Sequence, residues 1–309
     1  MSITVVGSIN LDFSTSIDRL PHRGETRHAH AYTLGLGGKG ANQAAAAARL
    51  GHRVSLVARL GRDDFGRRAE AELQAYAIDL SHVFRDDQHP TGIAAITVAE
   101  TGENTIAIVA GANGALTEAD ISLCQPNLSA SRVLLLQLET PMAASLAAAR
   151  IVKAAGGLVI LDPAPAPAAG LPPDLIPALD ILTPNETETA ALLGHTPVNL
   201  AEARESARAL VAHGIGTAVV KMGARGLGWA TATRSGVMPA FAVKAIDTVA
   251  AGDCFNGGLA HALVDGMALE DALRFAAATA ALSTTRRGAA AAAPTLAEVE
   301  AFLRTAKTV

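Results

Sequence analysis

Short apolar runs alternate with longer stretches of helical period from one end of the chain to the other. Ile3–Val6, Val54–Val57, Val133–Leu136, Leu158–Leu161, Ile181–Leu182 and Ala218–Lys221 predict strands. Gly40–Leu50, Gly66–Tyr76, Pro141–Ala155, Glu186–Leu193 and Ala201–His213 predict the helices between them. Alternation of this kind builds a mostly parallel sheet with helices on both faces. Beyond Gly252 the pattern turns purely helical, with Asp253–Asp265, Leu269–Thr285 and Leu296–Thr305.

Two regions break the rhythm. Phe13–Ile17 with Ala31–Leu36, and Gly92–Ala99 with Asn104–Ala110, predict strands with no helix between partners. The second pair is a hairpin turned by Glu100-Thr101-Gly102-Glu103. Together, at roughly 12–36 and 90–110, they predict a small β layer projecting from the main sheet, used as a lid, as a dimer contact, or as both. The Pro-rich stretch Pro163–Pro173 reads as a loop, because the strand–helix rhythm resumes beyond it. Residues 1–309 are expected to form a single α/β domain.

Composition narrows the classes. Half of the 309 residues are hydrophobic and 17% are charged, which excludes disorder and supplies a large core. A net charge of −4 without a basic cluster argues against nucleic acid. The N-terminus reads as a strand and not a signal peptide, and no apolar run reaches membrane length. Two distant cysteines, Cys124 and Cys254, suit a reduced, cytoplasmic protein.

The chemistry concentrates in a few motifs. In Asp247-Thr248-Val249-Ala250-Ala251-Gly252-Asp253 small residues precede a helix, so the amides of 250–253 can hold a phosphate gaining charge. Asp253 is placed to accept a proton from an attacking hydroxyl; a plain helix N-cap is the structural alternative. Gly35-Leu36-Gly37-Gly38-Lys39-Gly40-Ala41-Asn42 opens another helix. It matches a dinucleotide fingerprint but follows the lid segment instead of the first strand, and Gly40 stands where a Walker A loop needs Ser or Thr. Close approach of its backbone to a small polyol, with Lys39 and Asn42 as polar contacts, fits better. Asn10 and Asp12 follow the first strand and suit vicinal hydroxyls; each alone is a common turn residue. Glu139 ends another apolar strand. Asn185 with Glu188 forms a capping-box pattern that also suits a Mg²⁺ neighbourhood, and Lys221–Gly226 reads equally as a nucleotide contact or a hairpin. His28 and His30 lack a third ligand and read as solvated lid residues.

Taken with Gln137-Leu138-Glu139, Pro163-Ala164-Pro165-Ala166 and Thr183-Pro184-Asn185-Glu186, these motifs resemble the ribokinase-like carbohydrate and nucleoside kinases over essentially the whole chain. The resemblance implies a three-layer α/β/α sandwich with a β lid, and ATP-dependent phosphorylation of D-ribose at O5. It implies that Asn10, Asp12, Gly38, Lys39, Gly40, Asn42 and Glu139 contact the sugar, and that Asp253 is the base beside an anion hole at Ala250, Ala251 and Gly252. Asn185, Lys221, Gly223, Arg225, Gly226 and Gly252 would hold ATP, with Glu188 near Mg²⁺ through water. Asp247, Val249, Ser283, Arg286, Gly288 and Ala292 would surround an activating K⁺. A homodimer joined through the lid is a further expectation. Three positions depart from the pattern: Cys254 where Thr is usual, Ala292 where Ser often completes the cation site, and Ala277 where a polar residue often flanks adenine. Rivals are a kinase of 2-deoxyribose, fructose or a nucleoside, a dehydrogenase, and a sugar-binding protein without catalysis.

Overall fold

A computed structural model describes residues 3–306; Met1–Ser2 and 307–309, which the single-domain expectation also spans, lie outside the described residues. Among the described residues thirteen strands form two sheets. They are β1 (Ile3–Val6), β2 (Asn10–Ile17), β3 (Ala31–Gly37), β4 (Val54–Gly61), β5 (Val83–Asp86), β6 (Gly92–Ala99), β7 (Asn104–Val109), β8 (Val133–Gln137), β9 (Leu158–Asp162), β10 (Ile181–Leu182), β11 (Thr217–Lys221), β12 (Gly226–Thr231) and β13 (Ser235–Pro239).

The large sheet runs β13-β12-β11-β10-β9-β8-β1-β4-β5. Its strands from β5 to β11 are parallel, and β12 and β13 add an antiparallel edge. β1 and β8 are buried along their whole length, because helices cover both faces; that is why they are unbroken apolar runs and not alternating ones. One core packs the helices Lys39–Arg49, Ala251–Val264, Leu269–Ser283 and Leu296–Thr305 against one face. A second packs Met142–Ala154 and Leu200–Ala212 against the other. The strand order reverses around β1, so ligands are expected at the carboxyl ends of β1 and its neighbours.

The small sheet, β3-β2-β6-β7, is built from the two segments that broke the rhythm. β2 pairs antiparallel with β3 and parallel with β6, and β6–β7 is the hairpin. Every residue of β7 is exposed. Pro163–Pro173 carries no helix or strand, as expected. Among the described residues no helix is long and apolar enough to cross a membrane. Cys124 and Cys254 are buried free thiols.

Candidate active site

Two helices begin at the carboxyl ends of the central strands and run side by side, with their first turns in contact. The helix Lys39–Arg49 is entered through Gly38, whose φ of 87° favours glycine. A Cβ there would lie 2.7 Å from the Asn10 nitrogen, and one on Gly40 would lie 2.6 Å from the Ser8 nitrogen and the Gly7 carbonyl carbon. Glycine is what lets this helix seat directly on the end of β1. The second helix, Ala251–Val264, has Ala250 as its N-cap in the left-handed region at φ 58°. Asp253 is therefore the third helical residue, and the N-cap alternative fails. The Ala251 amide turns to the Thr248 carbonyl at 3.3 Å, whereas the amides of Gly252 and Asp253 meet no main-chain acceptor among the described residues. The open amides are thus fewer than the sequence suggests, and they sit where the helix dipole adds positive potential.

Asp253 is buried between the helices. Its Oδ2 accepts from Asn42 Nδ2 at 3.3 Å and its Oδ1 from Gln43 Nε2 at 3.1 Å. Gln43 Nε2 also reaches Asp162 Oδ2 at 3.3 Å, while its Oε1 accepts from Gln137 Nε2 at 2.7 Å. Lys221 Nζ pairs with Asp162 Oδ1 at 2.9 Å. Burial, opposed by the Lys39 ammonium and reinforced by Asp162, lifts the Asp253 pKa to about 6.

Beyond Asp253 lies a polar recess. Asp12, the third residue of β2, is pushed to about 6 by burial and by the charges of Glu139 and Asp253, and its Oδ1 is a buried acceptor without a donor. Glu139 Oε2 accepts from Ser8 Oγ at 2.5 Å and from the Lys39 amide at 3.1 Å. Asn10 Oδ1 accepts from Asn113 Nδ2 at 2.8 Å, and Asn113 also bonds both main-chain groups of Ile9. Asn42 Oδ1 lacks a donor as well. Burial works against the Lys39 charge, but Asp253, Asp162, Glu139 and Glu188 outweigh it and raise its pKa. The recess thus offers unsatisfied acceptors and a firmly charged donor, which is what a polyhydroxylated ligand can satisfy.

On the other side of Asp253 a cleft of about 890 Å³ opens. Lys39, Asp162, Asn185, Glu188, Lys221, Gly223, Gly226 and 250–253 line it, with Phe241, Met238 and Ala277 as apolar wall. Asn185 and Glu188 form the expected capping box, with reciprocal bonds of 2.8 and 2.9 Å. Glu188 is also raised, by burial first and Asp162 next, with Lys221 opposing.

Most of the sequence-derived residues converge here, and the exceptions have plain causes. Arg225 is not in the cleft wall; its guanidinium bonds Glu186 at 2.8 Å and the Val198 carbonyl at 2.9 Å. Lys221–Gly226 turns β11 into β12, and its Lys221, Gly223 and Gly226 line the cleft, so its two readings were not exclusive. Asp247 holds two of the expected cation residues, accepting from Val249 N and Gly288 N at 3.0 Å each. Within that group Ser283 Oγ bonds the Ala280 carbonyl, Arg286 pairs with Glu298, and Ala292 contributes only a main chain. Cys254 is inert: burial pushes its thiol to about 12. Gln43, Gln137, Asp162, Ser8 and Asn113 carried no assigned role in the sequence. Only Asp162 had a usable signal, a carboxylate ending the apolar strand β9, whereas Glu139, expected to end its strand, lies two residues beyond β8.

The profile of the pfkB family carbohydrate kinases matches residues 1–296. A ribokinase of Haemophilus influenzae is 39% identical over 302 residues, covering 98% of either chain. A deoxyribokinase of Salmonella typhi is 35% identical, covering 98% of this chain and 99% of its own. The structure of Arabidopsis thaliana ribokinase complexed with ribose and ATP superposes with a TM-score of 0.89 at 34% identity, covering 98% of this chain and 99% of the other. With residues 1–296 matched by the family profile and relatives covering 98% of its length, the chain belongs to the pfkB family of carbohydrate kinases.

Proposed function

We propose that the chain transfers the γ-phosphoryl group of ATP to O5 of D-ribose, giving D-ribose 5-phosphate and ADP. The observation that carries this is the position of Asp253: a buried carboxylate with open amides beside it, between an acceptor-rich recess and a nucleotide-sized cleft. Asn10, Asp12, Lys39, Asn42 and Glu139 bind the sugar hydroxyls, and Gly38 and Gly40 let the main chain close on them. Asp253 accepts the O5 proton as O5 attacks the γ-phosphorus, and the amides of Gly252 and Asp253 stabilise the charge on its oxygens. Lys221, Asn185, Gly223 and Gly226 position the nucleotide.

The site contains five carboxylates, Asp12, Glu139, Asp162, Glu188 and Asp253, against two ammonium groups, Lys39 and Lys221. That excess of hard oxygen donors fits Mg²⁺ near Asp162 and Glu188, which would neutralise the phosphates. Glu188 is held by Asn185 through both oxygens, which favours contact through water. Asp247, whose two oxygens accept from the amides of Val249 and Gly288, would offer its carboxylate to K⁺. Asp247 also ties Gly288 to the loop entering the Asp253 helix, a route by which the cation would order the anion hole.

β2, β3, β6 and β7 serve as a lid over the sugar that excludes water. Phe13 and Tyr32 stack at 5.7 Å on the lid face opposite Asp12, since strand residues alternate faces, so they offer no platform for a base in the recess. This favours a sugar over a nucleoside. Ile106 and Ile108 are exposed on the Asp12 face and favour pairing of two lids in a homodimer. Buried free thiols suit a reducing cytoplasm.

The test is a panel of ribose, 2-deoxyribose, fructose and nucleosides with ATP and Mg²⁺, with and without K⁺, read as ADP release. Highest kcat/KM on ribose and stimulation by K⁺ are expected. A preference for 2-deoxyribose or a nucleoside would overturn the substrate, and turnover on none would overturn the activity.

A further inference from the structure

The two helices that open at Asp253 and Lys39 also converge at their far ends. Arg49 ends one, and the chain turns through Gly51 to His52. The other carries His261 in its last turn and Asp265 as its C-cap, about 18 Å along the helix from Asp253. The His52 and His261 rings lie 4.6 Å apart, and His261 stacks on Phe275 at 4.8 Å. His52 Nε2 is 3.5 Å from Asp265 Oδ1, and His261 Nε2 is 3.6 Å from Asp265 Oδ2. One ligand atom from each of the three lies within 4.8 Å of the others.

These contacts are poor hydrogen bonds. His52 Nε2 is buried without a partner, as is His261 Nδ1, an arrangement that ordinarily costs stability. The two imidazole–carboxylate separations, though to different oxygens of Asp265, are close to the roughly 3.3–3.4 Å between ligands of a tetrahedral zinc with bonds of about 2.0–2.1 Å, and a small turn of the carboxylate would present one oxygen to both rings. Two imidazoles and one carboxylate form a donor set for a late first-row divalent metal, and the half-exposed Asp265 leaves the fourth position to water.

We propose that His52, His261 and Asp265 form a Zn²⁺ site, separate from the kinase site, that staples the far ends of its two helices. The helices pack so closely that a Cβ on Gly257 would lie 2.6 Å from Ala46 Cβ. A link at one end therefore restrains how the opposite ends hold Asn42 against Asp253.

The full chain is titrated with ZnCl₂ by calorimetry and its Tm followed, with excess Mg²⁺ to occupy the active-site carboxylates. One Zn²⁺ per chain is expected, with a Tm rise of about 5 °C at a metal concentration about 100 times Kd. His52→Gln and Asp265→Asn should each bind at least about tenfold more weakly, while retaining the wild-type circular dichroism and the kinase activity measured with Mg²⁺ and without Zn²⁺. A wild type that takes up no Zn²⁺, or either variant binding within a few-fold of it, would overturn the site.

Discussion

Gln43 is the residue whose removal reports most on how Asp253 is tuned. Its amide donates to Asp253 at 3.1 Å and to Asp162 at 3.3 Å, in a buried setting. Gln43→Leu keeps most of the volume and deletes both bonds, together with the one its Oε1 accepts from Gln137. A hydrogen bond to a charged group contributes about 1.5–3 kcal/mol, which corresponds to about one to two pKa units. The Asp253 pKa, already about 6 through burial, should climb to roughly 7–8. A base works only when ionised, so activity is lost as pH falls through that value. At pH 7 the variant should show roughly two- to tenfold lower kcat/KM for the sugar and should recover most of it by pH 9. The assay is ADP release across pH 5–9 at saturating ATP, because kcat/KM titrates the sugar-free enzyme. An acid limb that stays where it is in the wild type, or a deficit that persists at pH 9, would refute the assigned tuning.

Asp12→Asn should separate stability from binding. A carboxyl group whose pKa rises on folding holds its proton more tightly in the native state, so stability falls as pH climbs from 3.8 through about 6. The neutral variant should gain up to about 3 kcal/mol at pH 7 in denaturant unfolding, and should bind sugar more weakly by calorimetry. Gly40→Ala presses a methyl group against the backbone of Gly7 and Ser8; unfolding should show a loss of about 1–3 kcal/mol, with a raised KM for sugar. Ile106→Lys with Ile108→Lys places charges on the exposed lid face, and light scattering should report dimers for the wild type and monomers for this variant.

The parts of the fold legible in the sequence were those where burial is simple. β1, β8 and β9 are covered on both faces, so their apolar runs declare them, and Glu186–Leu193 declares itself through its capping box. β12 and β13 were missed because Gly226, Gly228 and Gly236 dilute an edge pattern that looked like turn. β5 is only four residues long, and Glu118–Leu123 and Gln125–Ser129 are too short to show a period. At the site, glycines and terminal carboxylates were readable because chemistry restricts those positions. Gln43 was not, since it sits in an alanine-rich helix and meets Asp162 and Asp253 only through the strand order of the sheet. Arg225 shows the converse: a suitable residue in a suitable turn, diverted by a nearer carboxylate, Glu186.

Replacing Asp253 by Asn, nearly isosteric and unable to accept the sugar proton, addresses the central claim most directly. Single-turnover phosphoryl transfer and calorimetric sugar binding are measured on the same preparation. A loss of about 10²–10⁴-fold in rate, with sugar affinity within a few-fold of wild type, is expected. Transfer at close to the wild-type rate would contradict the role of Asp253 as the base.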